Sequence, residues 1–180
     1  MKILGLIGSP RNGGNTDILV EKILERAGDG NHICEKFYLY HYEIQPCMDC
    51  RHCKAGKHQC LIQDGMALLY PRIDEADVIV FGTPLYWFGP SAKMKLFIDR
   101  LRPYAASKTL QGKKGLVVVP AGAGPDPCQA LLEMFRLTFN YLGIEFQGDL
   151  LATAYEKGEV INRSADMAKA EALGAHIAAL

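Results

Sequence analysis

The sequence predicts one α/β domain over residues 1–180, a doubly wound parallel sheet with helices on both faces. Three observations lead there. Short, almost wholly apolar runs recur along the chain, as strands buried on both faces require. Amphipathic helical patterns separate them, the alternation that makes parallel strands joined by crossover helices. A length of 180 residues at 49% apolar content suffices for one packed core, and no repeat, low-complexity tract or linker marks a second domain.

Residues 2–8 form the first expected strand, ended by Ser9 and Pro10. Asn15 or Thr16 would cap the next helix, whose apolar face carries Ile18, Leu19, Ile23 and Leu24. Residues 33–39 read as a second strand, interrupted by Cys34, Glu35 and Lys36. Asp64 would cap a helix to Ala76, with Pro71 implying a kink or a break. Residues 78–82 are the clearest strand, followed by a helix over 91–102 that aligns Met94, Phe97, Ile98 and Leu101. A buried strand over 115–119 precedes a helix over 127–142, ended by Gly143. A strand over 144–151 and a terminal helix opening at Asn162 complete the pattern. One connection is outsized: residues 40–63 join a strand to a helix where a handful would do, and such segments tend to be functional insertions.

Charge narrows the function. Lys plus Arg total 20 and Asp plus Glu total 20, so a globally basic nucleic-acid binder or a polybasic membrane anchor is not expected. No apolar run approaches the ~20 residues that span a bilayer. The first residues enter a strand with no signal-peptide cleavage site, which makes the cytoplasm the expected location.

Ligands of open α/β sheets bind beyond the carboxyl ends of the strands, where three loops carry chemistry. Residues 8–16 combine glycines, the hydroxyls of Ser9 and Thr16 and a helix N-terminus, the ingredients of a phosphate site. The loop is neither a Walker A motif, because Gly14 and Asn15 stand where Gly-Lys is required, nor a G-x-G-x-x-G fingerprint. Its plainer reading is a Gly-rich turn before a capped helix. Residues 83–90 set Tyr86, Trp87 and Phe88 between two prolines; at least one aromatic should be free to cover a planar ligand, unless core packing or an oligomer contact uses them. Residues 120–127 are nearly devoid of side chains and admit a ring close to the backbone. A phosphate cradle, an aromatic wall and a bare backbone edge together fit FMN.

The motifs Gly8-Ser9-Pro10-Arg11 with Gly14-Asn15-Thr16, residues 83–88, and Ser91-Ala92-Lys93-Met94-Lys95 through Asp99-Arg100 resemble the flavodoxin-like NAD(P)H-dependent FMN reductases. That resemblance implies a five-stranded sheet in the order 2-1-3-4-5 and a flavin oxidoreductase using NAD(P)H. It implies that Ser9, Arg11, Asn15 and Thr16 hold the FMN phosphate, and that Pro84, Leu85, Tyr86, Trp87 and Phe88 line the isoalloxazine. Ala121, Gly122 and Gly124 would meet its other edge. Lys95, Asp99 and Arg100 would have structural or subunit-contact roles, and the assembly would be a homodimer or homotetramer.

Four of the six cysteines fall in the outsized loop as Cys47-x2-Cys50-x2-Cys53-x6-Cys60. A reducing cytosol disfavours structural disulfides, so the cluster points to metal or redox chemistry. Four thiolates on a compact loop complete one [4Fe–4S] cubane. Bare thiols or a redox disulfide remain open, as does zinc with help from His52 or His58, although zinc favours two separated Cys pairs. Within the resembled family the spacing is similar to that of the iron–sulfur flavoproteins. Cys34 and Cys128 read as small buried residues. No side chain stands out as a catalytic acid or base, because cofactors carry such chemistry. The acceptor side is open between a cluster, a free flavin or quinone, and a ferredoxin-type partner. A zinc-stabilised binding module without redox activity is the remaining class.

Overall fold

The computed structural model describes residues 1–180. Its main sheet contains β1 (Lys2–Ile7), β2 (Ile33–Tyr38), β3 (Val78–Gly82), β6 (Lys114–Ala121) and β7 (Glu145–Thr153). All neighbours pair in parallel, in the order β2-β1-β3-β6-β7. Counting only these strands, that is the order 2-1-3-4-5, so the expected flavodoxin-like topology is present. The remaining strands, β4 (Leu85–Tyr86) and β5 (Gly89–Pro90), form a small antiparallel hairpin. Periodicity over so short a stretch carries no strand signal, and the hairpin was not anticipated.

Two apolar layers sandwich the sheet. On one face α1 (Asn15–Gly28) and α6 (Ser164–Ala178) cover Ile3, Ile7, Val78, Val80, Leu116 and Val118. On the other, α2 (Met66–Glu75), α3 (Ala92–Asp99), α4 (Arg102–Ser107) and α5 (Gln129–Leu142) enclose Leu4, Leu6, Ile79, Val117 and Val119. Phe81 packs against Phe97, Phe135 and Phe139 there, with ring centroids 5.1–6.4 Å apart. Strand residues thus alternate between two buried faces, which is why the runs look continuously apolar. No helix is long and apolar enough to cross a membrane.

Several expected boundaries change for identifiable reasons. Helix α1 has Gly14 at its N-cap and no capping side chain; Asp17 in its first turn accepts from the Gly13 amide at 2.7 Å instead. Pro71 neither kinks α2 to a halt nor divides it, and the helix runs on to Glu75. The expected helix over 91–102 is two helices. Ser91 caps α3 by accepting from the Met94 amide, but Pro103 has no N–H to give the Asp99 carbonyl, so the α3 hydrogen-bond ladder cannot run through it, whereas a proline is tolerated in the first turn of a new helix. The chain therefore turns at Arg100 and Leu101, and α4 starts afresh. Within residues 40–63 regular structure is limited to short 3-10 turns, at Leu39–His41 on its edge and at His52–Lys54 inside it.

Candidate functional site

The sheet order reverses between β1 and β3, and a cleft of about 510 Å³ opens at the carboxyl ends of these strands and β6. That size suits a small-molecule site. The cleft is lined by Ser9, Arg11, Asn15 and Thr16 after β1, and by Pro84, Leu85 and Tyr86 after β3. Pro120, Ala121, Gly122 and Ala123 border it at the end of β6, with Ala154 and Tyr155 beyond β7.

Each wall is held by its own bonds. The Ser9 hydroxyl accepts from the Arg11 amide at 3.2 Å, bending the loop toward the start of α1. Asp17 anchors that loop from below and meets Lys36 at 2.9 Å and the Tyr38 hydroxyl at 2.8 Å. Burial pushes the Asp17 carboxyl up, but its bonds to Lys36, the Gly13 amide and Tyr38 outweigh this and hold it below its ordinary value. The β3 loop is fixed by Ser91, whose amide donates to the Thr83 hydroxyl at 3.0 Å and whose own hydroxyl donates to the Gly8 carbonyl.

Asn15 lines the cleft, yet its amide group is committed elsewhere. Its Nδ2 donates to the Glu156 carbonyl at 2.8 Å, and its Oδ1 accepts from the Val160 amide at 3.1 Å. The side chain expected on a phosphate instead clasps the loop after β7. Glu159 completes that loop by accepting from the Tyr155 and Glu156 amides; Arg163 and these amides hold its carboxyl down to about 2. The clasped loop presents Tyr155, and a Cβ on Gly122 would lie 2.6 Å from that ring. Arg11 reaches the same loop, donating to the Tyr155 carbonyl at 3.4 Å. Tyr155 was missed because the loop after the fifth sheet strand lacks a glycine or aromatic cluster to mark it.

Trp87, Phe88 and Gly124 do not line the cleft. Trp87 and Phe88 occupy the two turn positions of the β4–β5 hairpin with φ of 49° and 62°, and are 96% and 64% exposed. Two-residue hairpin turns of this sort demand positive φ at both positions, and that aims the large rings outward. Gly124 lies past the rim, its amide donating back to the Ala121 carbonyl at 3.1 Å.

The four loop cysteines share a second, smaller pocket with Asp99, Arg100 and Arg102 from the α3–α4 junction. Burial pushes the Cys53 thiol up, Cys60 adds to this, Arg102 opposes it, and Cys47 and Cys50 add further. No three metal-ligating side chains are gathered into a ready-made cation site. Even so, the donor set suits a four-thiolate centre in kind and number, since all four cysteines line one pocket. Asp49, Arg51 and His58 lie between the cysteines with φ of 49°, 61° and 55°. Such left-handed residues persist where surroundings over-determine them, often at functional sites. His58 faces the Cys53 carbonyl at 3.3 Å. Cys128 is buried and Cys34 partly so.

A doubly wound sheet with an amide-rich loop and a flat-walled slot at its switch point defines a flavodoxin-like mononucleotide-binding domain. The chain belongs to the NADPH-dependent FMN reductase family, whose model matches residues 1–156, and it is a flavin oxidoreductase with FMN as cofactor. A Bacillus subtilis protein whose name describes an NAD(P)H-dependent FMN-containing oxidoreductase is 34% identical over 174 residues, 89% of this chain and 90% of that protein. An iron-sulfur flavoprotein of Archaeoglobus fulgidus is 34% identical over 179 residues, 99% of this chain and 79% of that protein. The NAD(P)H:quinone oxidoreductase from Methanothermobacter marburgensis shares the fold with a TM-score of 0.76 at 20% identity, covering 98% of each chain.

Proposed function

We propose that the protein moves electrons from NAD(P)H, or from a reduced carrier, through FMN to or from a [4Fe–4S] cluster held by Cys47, Cys50, Cys53 and Cys60. The observation that carries this reading is the convergence of the four cysteines on one pocket in a chain that already has a flavin cleft. The similarity to a protein named an iron-sulfur flavoprotein supports it.

In the cleft, the amides of residues 8–16, the Ser9 and Thr16 hydroxyls and the Arg11 guanidinium receive the phosphate. Pro84, Leu85 and Tyr86 support one side of the ring, while Ala121, Gly122 and Tyr155 close the other. Asn15 contributes by holding the Tyr155 loop in place. When bound, FMN accepts hydride and can release electrons singly, which is the chemistry a one-electron centre needs. The protein orients it and leaves the rim beside the exposed Tyr86 open for a second planar ligand. We place the protein in the cytoplasm, as a homodimer or homotetramer whose exposed Trp87 and Phe88 serve as contact residues.

An anaerobic preparation assayed together for visible spectrum, FMN, iron and sulfide tests the reading. Stoichiometric FMN with about four irons and four sulfides per chain is expected. Flavin without iron or sulfide would leave a cluster-free flavin or quinone reductase, the second reading, favoured by the lack of a ready-made metal-ligand group. Rapid reduction by ferredoxin with no NADH or NADPH turnover would make the protein a carrier instead.

A further inference from the structure

We propose that Arg100 is the positioning residue of the cysteine loop's redox centre: it locks the loop at both ends and gives an N–H bond to the Cys60 sulfur that favours the electron-rich, reduced form. The inference rests on the reading of the four cysteines as cluster ligands.

Arg100 lies where α3 ends, and its side chain is only 1% exposed. Burying a guanidinium is costly without a matched partner. Asp64, 2% exposed, meets it with both oxygens, at 2.5 Å to Nη1 and 3.2 Å to Nη2. The same guanidinium donates to the Gln45 carbonyl at 2.9 Å and to the Ile62 carbonyl at 3.4 Å. Gln45 and Ile62 flank the cysteine segment, so one side chain ties both ends of the loop. Behind it, Tyr70 donates to the Arg100 carbonyl at 2.7 Å and fixes the backbone.

A purely structural staple needs nothing more. Yet Nη2 also points at Cys60 Sγ, 3.5 Å away. A lysine would supply one point charge and could not serve two carbonyls, a carboxylate and a sulfur at once. Hydrogen bonds to cluster sulfurs and nearby positive charge raise reduction potentials, because the added electron is spread over the sulfurs. No bond forms or breaks; Arg100 only lowers the energy of the centre once it holds the electron.

The test uses the full-length protein purified anaerobically, with iron and sulfide measured and the cluster potential followed by EPR-monitored titration. Arg100→Gln and Arg100→Lys should shift the midpoint downward, and Asp64→Asn, which keeps the sulfur contact but removes an anion, should shift it upward. Opposite signs would not arise from a staple alone. Equal loss of iron in all three, with the remaining cluster at the wild-type potential, would overturn the proposal. The wild type labelled with 15N-arginine supplies a check independent of variant folding: pulsed EPR of the reduced centre should show a guanidinium nitrogen coupling, and its absence would also overturn it. Absence of iron and sulfide from the wild type would overturn the cluster reading together with this inference. A normal cluster with an unshifted Arg100→Gln potential would overturn this inference only.

Discussion

Arg11 brings a positive charge to the proposed phosphate end of the cleft, where glycine amides and hydroxyls do the rest. A charge-assisted hydrogen bond contributes about 1.5–3 kcal/mol, so Arg11→Ala should weaken FMN binding roughly ten- to hundredfold in a flavin-fluorescence titration. Unchanged affinity would count against the phosphate assignment. Asn15 makes a different prediction. Asn15→Ala breaks the clasp on residues 156 and 160 and should cost about 1–3 kcal/mol in urea unfolding. Ser9, Arg11 and Thr16 were legible as cleft residues because a glycine-rich turn between the first strand and a helix start sets them at the carboxyl edge of the sheet. The role of Asn15 was not, since its partner Glu156 lies 141 positions away and only the folded chain brings them together.

At the scale of elements, the β4–β5 hairpin carries its own contradiction. Turn positions with positive φ favour Asn and Gly, yet here they hold Trp87 and Phe88. Replacing the pair by Asn-Gly should raise stability by about 1–2 kcal/mol, the strain of bulky left-handed residues. A fall in unfolding free energy would instead mean that the rings bury surface in an assembly. Gly122 is constrained in the opposite sense, by lack of room: Gly122→Ala should displace the Tyr155 ring and lower FMN affinity, with little loss of fold stability. The aromatic triplet was visible in the sequence, but not which ring would face inward. That depended on a two-residue hairpin too short to leave a pattern. The division of α3 from α4 was legible in hindsight from Pro103, whereas the inward turn of Arg100 depends on Asp64 across the fold.

For the whole molecule, two acid–base pairs join separate elements: Asp17 of α1 meets the half-buried Lys36 of β2, and buried Asp64, just past the cysteine loop, meets buried Arg100 at the end of α3. Burial raises both carboxyls, but Lys36 and Arg100 prevail and hold them below their ordinary value. The unfolded chain therefore binds these protons first, near pH 4. The stability from both pairs is complete above that pH and declines as acidity carries the solution through the lowered folded-state values. Urea unfolding at pH 6 and pH 3 should show this loss, and Asp17→Asn should be weaker at pH 6 with a flatter dependence. The sheet order was legible because alternation and resemblance agreed; the partners of the charged residues were not, because their balance of zero says nothing about who meets whom. One further consequence concerns the tail. The family model ends at residue 156, yet α6 lies beyond it against α1, with Gly174 so close that a Cβ would meet the Ile23 carbonyl at 2.7 Å. Residues 157–180 also contain Val160, which Asn15 grips from beside the cleft. The edge of the family model is thus not the edge of the fold, and a chain cut at residue 156 would lose the helix that packs against α1.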